Sequence, residues 1–229
     1  MTKSPRAPLN LSIYLVTDAE ICGRLGVLAT VTSAVRSGAT VVQLRDDHAT
    51  DDELVSLGRQ ILVALQGTGV PLIINDRVHL VGAIGAQGVH VGQSDLGIGA
   101  ARTLLGHSPY LGLSVQTVDH VTAAREHDEG MLDYLGVGPV WATTTKLDAR
   151  APGGLERLSQ ITSASPWPCV AIGGITRQRL SDVRRAGAAG AAVVSAICGR
   201  PDVAAATRAL RDTWDEAGDV HGLIDEATG

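Results

Sequence analysis

The sequence predicts an α/β protein folded as a single (β/α)8 TIM barrel, and three observations predict it. Eight short runs rich in Val, Ile, Leu and Gly recur along 229 residues, most of them continuously apolar rather than alternating. Unbroken apolar runs suit parallel strands that are covered on both faces. A helical stretch follows each run, with no linker or break in composition, so the units read as one domain at the small end of the barrel size range. Periodicity alone also fits an open, doubly wound sheet. The count of eight is what points to closure.

The first run, 12–18, ends in Thr17-Asp18 and precedes a helix near Arg24. The second, 39–45, ends in Gln43-Leu44-Arg45. Its helix opens at Asp51 behind a capping box, Thr50 with Glu53, ahead of the periodic Leu54, Leu57, Ile61 and Leu65. The third, 71–76, ends in Asn75-Asp76 before a helix near Arg77, and the fourth, 88–92, in Gln93-Ser94-Asp95 before one near Gly97. The fifth, 110–115, carries Ser114, with Thr117 placed as the next N-cap. The sixth, 133–140, runs into Thr143-Thr144-Thr145-Lys146 and a helix from Gly154. The seventh, 168–175, holds Gly173-Gly174, with Thr176 as N-cap; the eighth, 190–197, delivers Val194-Ser195 before a helix near Pro201. A flexible segment, 1–11, is expected ahead of the barrel at 12–217, and a loose polar tail, 218–229, after it.

Composition narrows the function. Asp and Glu number 24 against 19 Lys and Arg, for a formal charge of −5, and three Trp and three Tyr are the only aromatic rings of the Phe, Trp and Tyr set. Nucleic-acid binders need a basic footprint and commonly stacking rings, so nucleic acid is not an expected partner. An anionic membrane surface is disfavoured by the same charge. The longest uncharged stretch of small and apolar residues, Ala186 to Cys198, falls short of the ~20 residues that span a bilayer, and Met1 to Asn10 has no apolar core of a signal peptide. Cys22, Cys169 and Cys198 are odd in number and far apart, suggesting neither a disulfide framework nor a zinc site. The expected location is a reducing cytoplasm.

Barrel enzymes work at the carboxyl ends of their strands, and here those ends are polar. Asp76 and Asp95, on adjacent strands, suit a hard cation such as Mg2+, which takes one or two carboxylates and completes its shell with water and phosphate oxygens. Each could instead cap the helix that follows it. Arg45, Asn75 and Lys146 face the same mouth with a bidentate cation, an amide and a point charge, and with the metal they describe a diphosphate site. Gly173-Gly174 and the small residues after the eighth run offer backbone N–H groups to a second anion, though tight turns alone would use the same residues. Two anion sites imply two phosphorylated substrates or one long bisphosphate. His90, mid-strand in Gly88-Val89-His90-Val91-Gly92, reads as a packed barrel histidine ahead of a catalytic base. Gly97-x-Gly99 lacks the third glycine of a dinucleotide fingerprint. No nucleophile with a base emerges.

In order and spacing, these residues resemble the thiamine-phosphate synthase family. The most specific segments are Val42-Gln43-Leu44-Arg45, Ile74-Asn75-Asp76-Arg77, Gly88-Val89-His90-Val91-Gly92-Gln93-x-Asp95, Leu135-Gly136-Val137-Gly138-Pro139-Val140, Thr143-x-Thr145-Lys146-x-Asp148-Ala149 and Ala171-Ile172-Gly173-Gly174-Ile175. The resemblance implies transfer of 4-amino-2-methyl-5-hydroxymethylpyrimidine diphosphate onto 4-methyl-5-(2-phosphoethyl)thiazole, giving thiamine phosphate and pyrophosphate with Mg2+. It assigns Gln43, Arg45, Asn75, Ser114 and Lys146 to the pyrimidine diphosphate, with Arg45, Lys146 and Ser114 as catalytic residues. It assigns Asp76 and Asp95 to Mg2+, and Thr143, Thr144, Thr145, Gly174, Val194 and Ser195 to the thiazole phosphate. Two rivals share the barrel: a thiazole tautomerase, which needs no diphosphate and metal site, and a non-catalytic sensor of phosphorylated ligands.

The sequence departs from the family pattern at Asp47, where Lys is usual, and at Ala142 and Thr144, where prolines are common. An unpaired Asp47 at 4 Å from the diphosphate would cost about 4 kcal/mol at an effective dielectric of 20. Asp47 is therefore expected to turn away, to pair with a nearby base, or to reach substrate through Mg2+ or water, leaving Arg45 and Lys146 as the direct cations. The favoured place for it is the acidic start of the second helix, with Asp46, Asp51 and Asp52. The polar connection 141–153 is expected to act as a lid.

Overall fold

The computed structural model describes residues 6–127, 129–143, 145 and 151–225, and in it eight parallel strands close into a barrel in sequence order. They are β1 (Ile13–Val16), β2 (Val41–Leu44), β3 (Leu72–Asn75), β4 (Gly88–Val91), β5 (Tyr110–Val115), β6 (Tyr134–Val137), β7 (Cys169–Ile172) and β8 (Gly190–Val193). The open-sheet alternative is excluded because β1 pairs with β8 as well as β2, Leu15 facing Val193 and Val42 on its two sides.

The strands read as continuously apolar because each one serves two cores. Ile13, Leu15, Val42, Leu44, Leu72 and Ile74 belong to the layer between barrel and helices, whereas Tyr14, Val16, Val41, Ile73, Tyr134, Val170 and Ala192 fill the interior. The covering helices are α2 (Val27–Arg36), α3 (Asp51–Leu65), α4 (Leu80–Ile84), α5 (Ile98–Leu105), α6 (Val118–Ala124), α7 (Gly154–Ala164), α8 (Leu180–Arg185) and α9 (Val203–Asp225). Ahead of them, α1 (Ala19–Cys22) is a short helix that the sequence reading does not contain; Asp18 caps it, accepting from the Ile21 N–H at 2.9 Å. The capping box on α3 forms as read, with Glu53 accepting from the Thr50 N–H at 2.8 Å. Thr117 caps α6. Thr176 has the extended backbone of a cap but makes no side-chain cap bond.

Two expectations about the ends need correction. Residues 6–11 are pinned rather than flexible. Arg6 reaches Asp133, the His107 carbonyl and the Gly130 carbonyl at 2.5, 2.6 and 2.8 Å, and Leu11 is buried with Tyr14 and Ala192 at the foot of the barrel. Gly190 admits this segment, since a Cβ there would lie 1.7 Å from the Leu11 carbonyl oxygen. At the other end α9 runs through Asp225, so 218–225 are helical rather than a loose tail. Cys22, Cys169 and Cys198 are free and buried, and no helix among the described residues is long and apolar enough to cross a membrane.

Candidate active site

β3 and β4, which pair in the barrel, are each followed by one of the two acids at the mouth. Asp76 follows Asn75 with φ 58°, among the described residues the one non-glycine with a left-handed backbone. Asp tolerates this region better than most residues, and such strain collects at functional sites. Its N–H donates to the His90 carbonyl at 2.8 Å, tying β3 to β4, and its Oδ2 accepts from Asn75 Nδ2 at 2.8 Å. Asp95 reaches back to the end of β4, where its Oδ2 accepts from the Gly92 N–H at 2.8 Å. Neither carboxylate caps a helix, since α4 begins after His79 and α5 after Gly97 without side-chain caps. The simplest alternative reading of this pair is thereby removed. Two carboxylates at adjacent strand ends match what a protein contributes to Mg2+ when phosphate oxygens and water supply the rest. Among the described residues no group of three or more His, Cys, Asp or Glu forms a fuller cage.

β2 contributes Arg45, and here the structure corrects the expectation. Asp47 does pair with a base, but that base is Arg45: Nε donates to Oδ1 at 3.2 Å and Nη2 to Oδ2. Asp47 lies before α3 and outside the acidic helix start, where Asp51, Asp52 and Glu53 sit. Asp46 instead accepts from the His48 and Ala49 N–H groups at 3.0 and 3.1 Å, bending the loop so that its neighbour turns onto Arg45. Arg45 is thus a cation already partnered, not an open one. Its backbone is fixed by Thr17, whose hydroxyl accepts from the Arg45 N–H at 2.9 Å.

Across the mouth, the second set follows β6, β7 and β8. Gly173 and Gly174 have φ of 99° and 62°, a succession that glycine adopts without strain. A Cβ on Gly174 would meet the Ala142 carbonyl oxygen at 2.6 Å, so the segment after β6 lies directly against β7's end. Thr143 accepts from the Thr145 N–H at 3.2 Å in that segment. Val194 opens a helical turn, accepting from the Ile197 and Cys198 N–H groups at 2.9 and 2.8 Å, with Ser195 exposed beside it. Arg179, which the sequence reading does not single out, donates to the Gly174 carbonyl and stacks over Trp141 with 4.6 Å to the ring centroid. Thr144 and Lys146, and with them most of the expected lid, lie outside the described residues.

Beneath the mouth a chain of polar side chains crosses the barrel. Gln43 Nε2 donates to Tyr14 OH at 2.9 Å, Tyr14 OH meets Tyr134 OH at 2.7 Å, Tyr134 OH meets His90 Nδ1 at 3.1 Å, and His90 Nε2 meets Ser114 Oγ at 2.9 Å. Burial pushes both phenol pKa values up, the largest influence on each. Room for the rings comes from Gly112 and Gly136, where a Cβ would meet Tyr134 at 2.2 Å and His90 at 2.8 Å. The tyrosines are missed by the sequence reading. The one available signal was the pair of glycines spaced along neighbouring strands.

A closed barrel whose carboxyl rim gathers an acid pair, a guanidinium and a glycine-threonine corner is laid out as a (β/α)8 enzyme. The profile of the thiamine monophosphate synthase family matches residues 13–197. The thiamine-phosphate synthase of Psychrobacter sp. (strain PRwf-1) is 44% identical over 202 residues, covering 88% of this chain and 94% of its own. That of Azorhizobium caulinodans is 45% identical over 204 residues, covering 89% and 95%. Among solved structures, a thiamine phosphate pyrophosphorylase from Pyrococcus furiosus superposes with a TM-score of 0.82 at 32% identity, covering 91% of this chain and 97% of that one. The chain belongs to the thiamine monophosphate synthase family, and it is a transferase of thiamine biosynthesis.

Proposed function

We propose that this transferase joins 4-amino-2-methyl-5-hydroxymethylpyrimidine diphosphate to 4-methyl-5-(2-phosphoethyl)thiazole, releasing pyrophosphate and thiamine phosphate. The observation that carries the reading is the Asp76 and Asp95 pair at adjacent strand ends, neither spent on a helix cap, opposite the Gly174 corner. Asp76 and Asp95 would hold Mg2+, which when bound neutralises charge on the diphosphate. Arg45, Asn75 and Lys146 would hold the diphosphate and Gln43 and Ser114 the pyrimidine, while Thr143, Thr144, Thr145, Gly174, Val194 and Ser195 would hold the thiazole phosphate. The bond from the pyrimidine methylene to the diphosphate oxygen breaks first, its electron pair leaving with pyrophosphate. The cation left behind is stabilised by the pyrimidine amino group, and the thiazole nitrogen closes the new C–N bond with its lone pair. Positioning and charge stabilisation then carry the catalysis, and no protein nucleophile is required.

The test is incubation of both substrates with the chain and Mg2+, following thiamine phosphate and pyrophosphate. Thiamine phosphate is expected; a proton shift within the thiazole alone, or binding without turnover, would replace this reading by the tautomerase or the sensor. A trifluoromethyl group in place of the pyrimidine methyl should slow a single turnover by orders of magnitude, since it withdraws charge from the cation. A rate close to that of the natural substrate would exclude the dissociative order of steps.

A further inference from the structure

We propose that His90 is a positioning residue, held neutral with its proton on Nε2 by Tyr14 and Tyr134, so that the Ser114 hydroxyl accepts from His90 and keeps its own proton to donate into the mouth. The direction follows from counting donors along the chain of side chains. Gln43 presents Nε2 to Tyr14, so the Tyr14 oxygen accepts there and has Tyr134 OH to receive its own proton, at 2.7 Å. Tyr134, having accepted, passes its proton to His90 Nδ1 at 3.1 Å. An imidazole that accepts at Nδ1 carries its proton on Nε2, which then donates to Ser114 Oγ at 2.9 Å. Ser114 thus accepts from His90 with one lone pair and has its proton to give toward the mouth.

An imidazolium would break this sequence. With both ring nitrogens donating, Tyr134 would have to turn its proton back to Tyr14, and Tyr14 would face a second donor in Gln43 Nε2. Burial keeps both phenols protonated, so each has a proton that must be placed. The rings lie close over the backbone at Gly112 and Gly136, where a Cβ would stand 2.2 Å from Tyr134 and 2.8 Å from His90. Among the described residues no buried side-chain nitrogen or oxygen lacks a partner, which is the condition for such a chain to keep one direction.

The consequence for recognition rests on the proposed function. A donating Ser114 selects an acceptor on the substrate, and the pyrimidine diphosphate offers ring nitrogens and phosphate oxygens. Gln43, three strands away on β2, sets that polarity through the orientation of its amide.

The experiment is nitrogen NMR of the whole chain labelled in its histidine rings, with His90 assigned by its disappearance in His90→Gln. The expected pattern is a neutral ring protonated at Nε2; protonation at Nδ1 or at both nitrogens would overturn the proposal. Tyr134→Phe removes the donor to Nδ1 and should abolish the single tautomer, whereas an unchanged Nε2–H signal would show that Tyr134 does not hold the ring. In kinetics, His90→Gln, whose amide N–H can stand in for Nε2–H, should keep the KM for the pyrimidine diphosphate within about tenfold, and His90→Leu should raise it further. Equal values for the two would overturn the positioning role. The ring signals are read without turnover, so they decide this proposal even if thiamine phosphate does not form.

Discussion

Two groups of arginine and aspartate mark the two ends of the barrel, and they are built differently. At the foot, Asp133 is shared by Arg6 and Arg102, with side chains 12%, 16% and 4% exposed. Arg102 also donates to the carbonyls of Met131 at 2.6 Å and Pro109 at 2.7 Å, and Asp133 accepts from the Leu111 N–H at 2.8 Å. At the mouth, Arg45 and Asp47 hold each other while Asp47 stands 53% exposed. The foot is satisfied by backbone groups that cannot leave. The mouth guanidinium is held by one half-exposed carboxylate, which under the proposed function the substrate diphosphate would displace. One arrangement ties neighbouring strand starts together through backbone groups, and the other orients a single guanidinium at the mouth.

Breaking the foot should have the largest effect. Asp133→Ala leaves two guanidiniums in a buried corner and should destabilise the fold by about 3–5 kcal/mol, measured by denaturant unfolding, with turnover of the folded fraction retained. At the mouth the sign of the comparison reverses. Asp76→Asn, which keeps a residue suited to the left-handed backbone, or Asp95→Ala should lower turnover by about 10²–10³-fold, or ~2.7–4 kcal/mol in the barrier, with little change in the unfolding midpoint. Activity independent of Mg2+ in either variant would break the distinction between the two ends.

Between the ends, Gly112→Ala sharpens it. The added Cβ meets the Tyr134 ring at 2.2 Å and His90 Nδ1 at 2.5 Å, so overpacking of about 1–3 kcal/mol is expected together with a rise in the KM for the pyrimidine diphosphate. The smallest effect belongs to Asp47→Ala. A pair this exposed is worth about 0.2–1 kcal/mol, so freeing Arg45 should lower that KM by no more than about fivefold. A collapse of activity with folding intact would show that Asp47 has a catalytic part of its own.

The repeating architecture was legible because each strand announces itself by an apolar run and hands polar residues to the rim. Asp76, Asp95, Gly174 and Thr143 could be placed for that reason. What lies inside the barrel could not. In a run such as Ile13-Tyr14-Leu15-Val16, apolar on both faces, no period says that Tyr14 points inward, and its partner Tyr134 comes from the opposite part of the chain. The polar composition of the lead-in hides Leu9 and Leu11, which pack at the foot. The length of α9 depends on an anchor the sequence does not show, Arg184 stacked on Trp214 at 5.0 Å, from which further turns propagate. The Arg45 and Asp47 pairing depends on a loop bend at Asp46, a local geometry that residue type alone leaves open.

The seam between β1 and β8 sets a timetable for synthesis. Leu15 leaves the ribosome about 180 residues before its neighbour Val193, which at ~5–20 residues per second is a wait on the order of ten seconds or more. Through that interval one edge of the first strand has no permanent neighbour, and open edges recruit other chains. The last translated strand therefore does more than complete a count. It ends the period in which a nascent chain is exposed to its own kind, and it brings Val194 and Ser195 to the mouth in the same closing event.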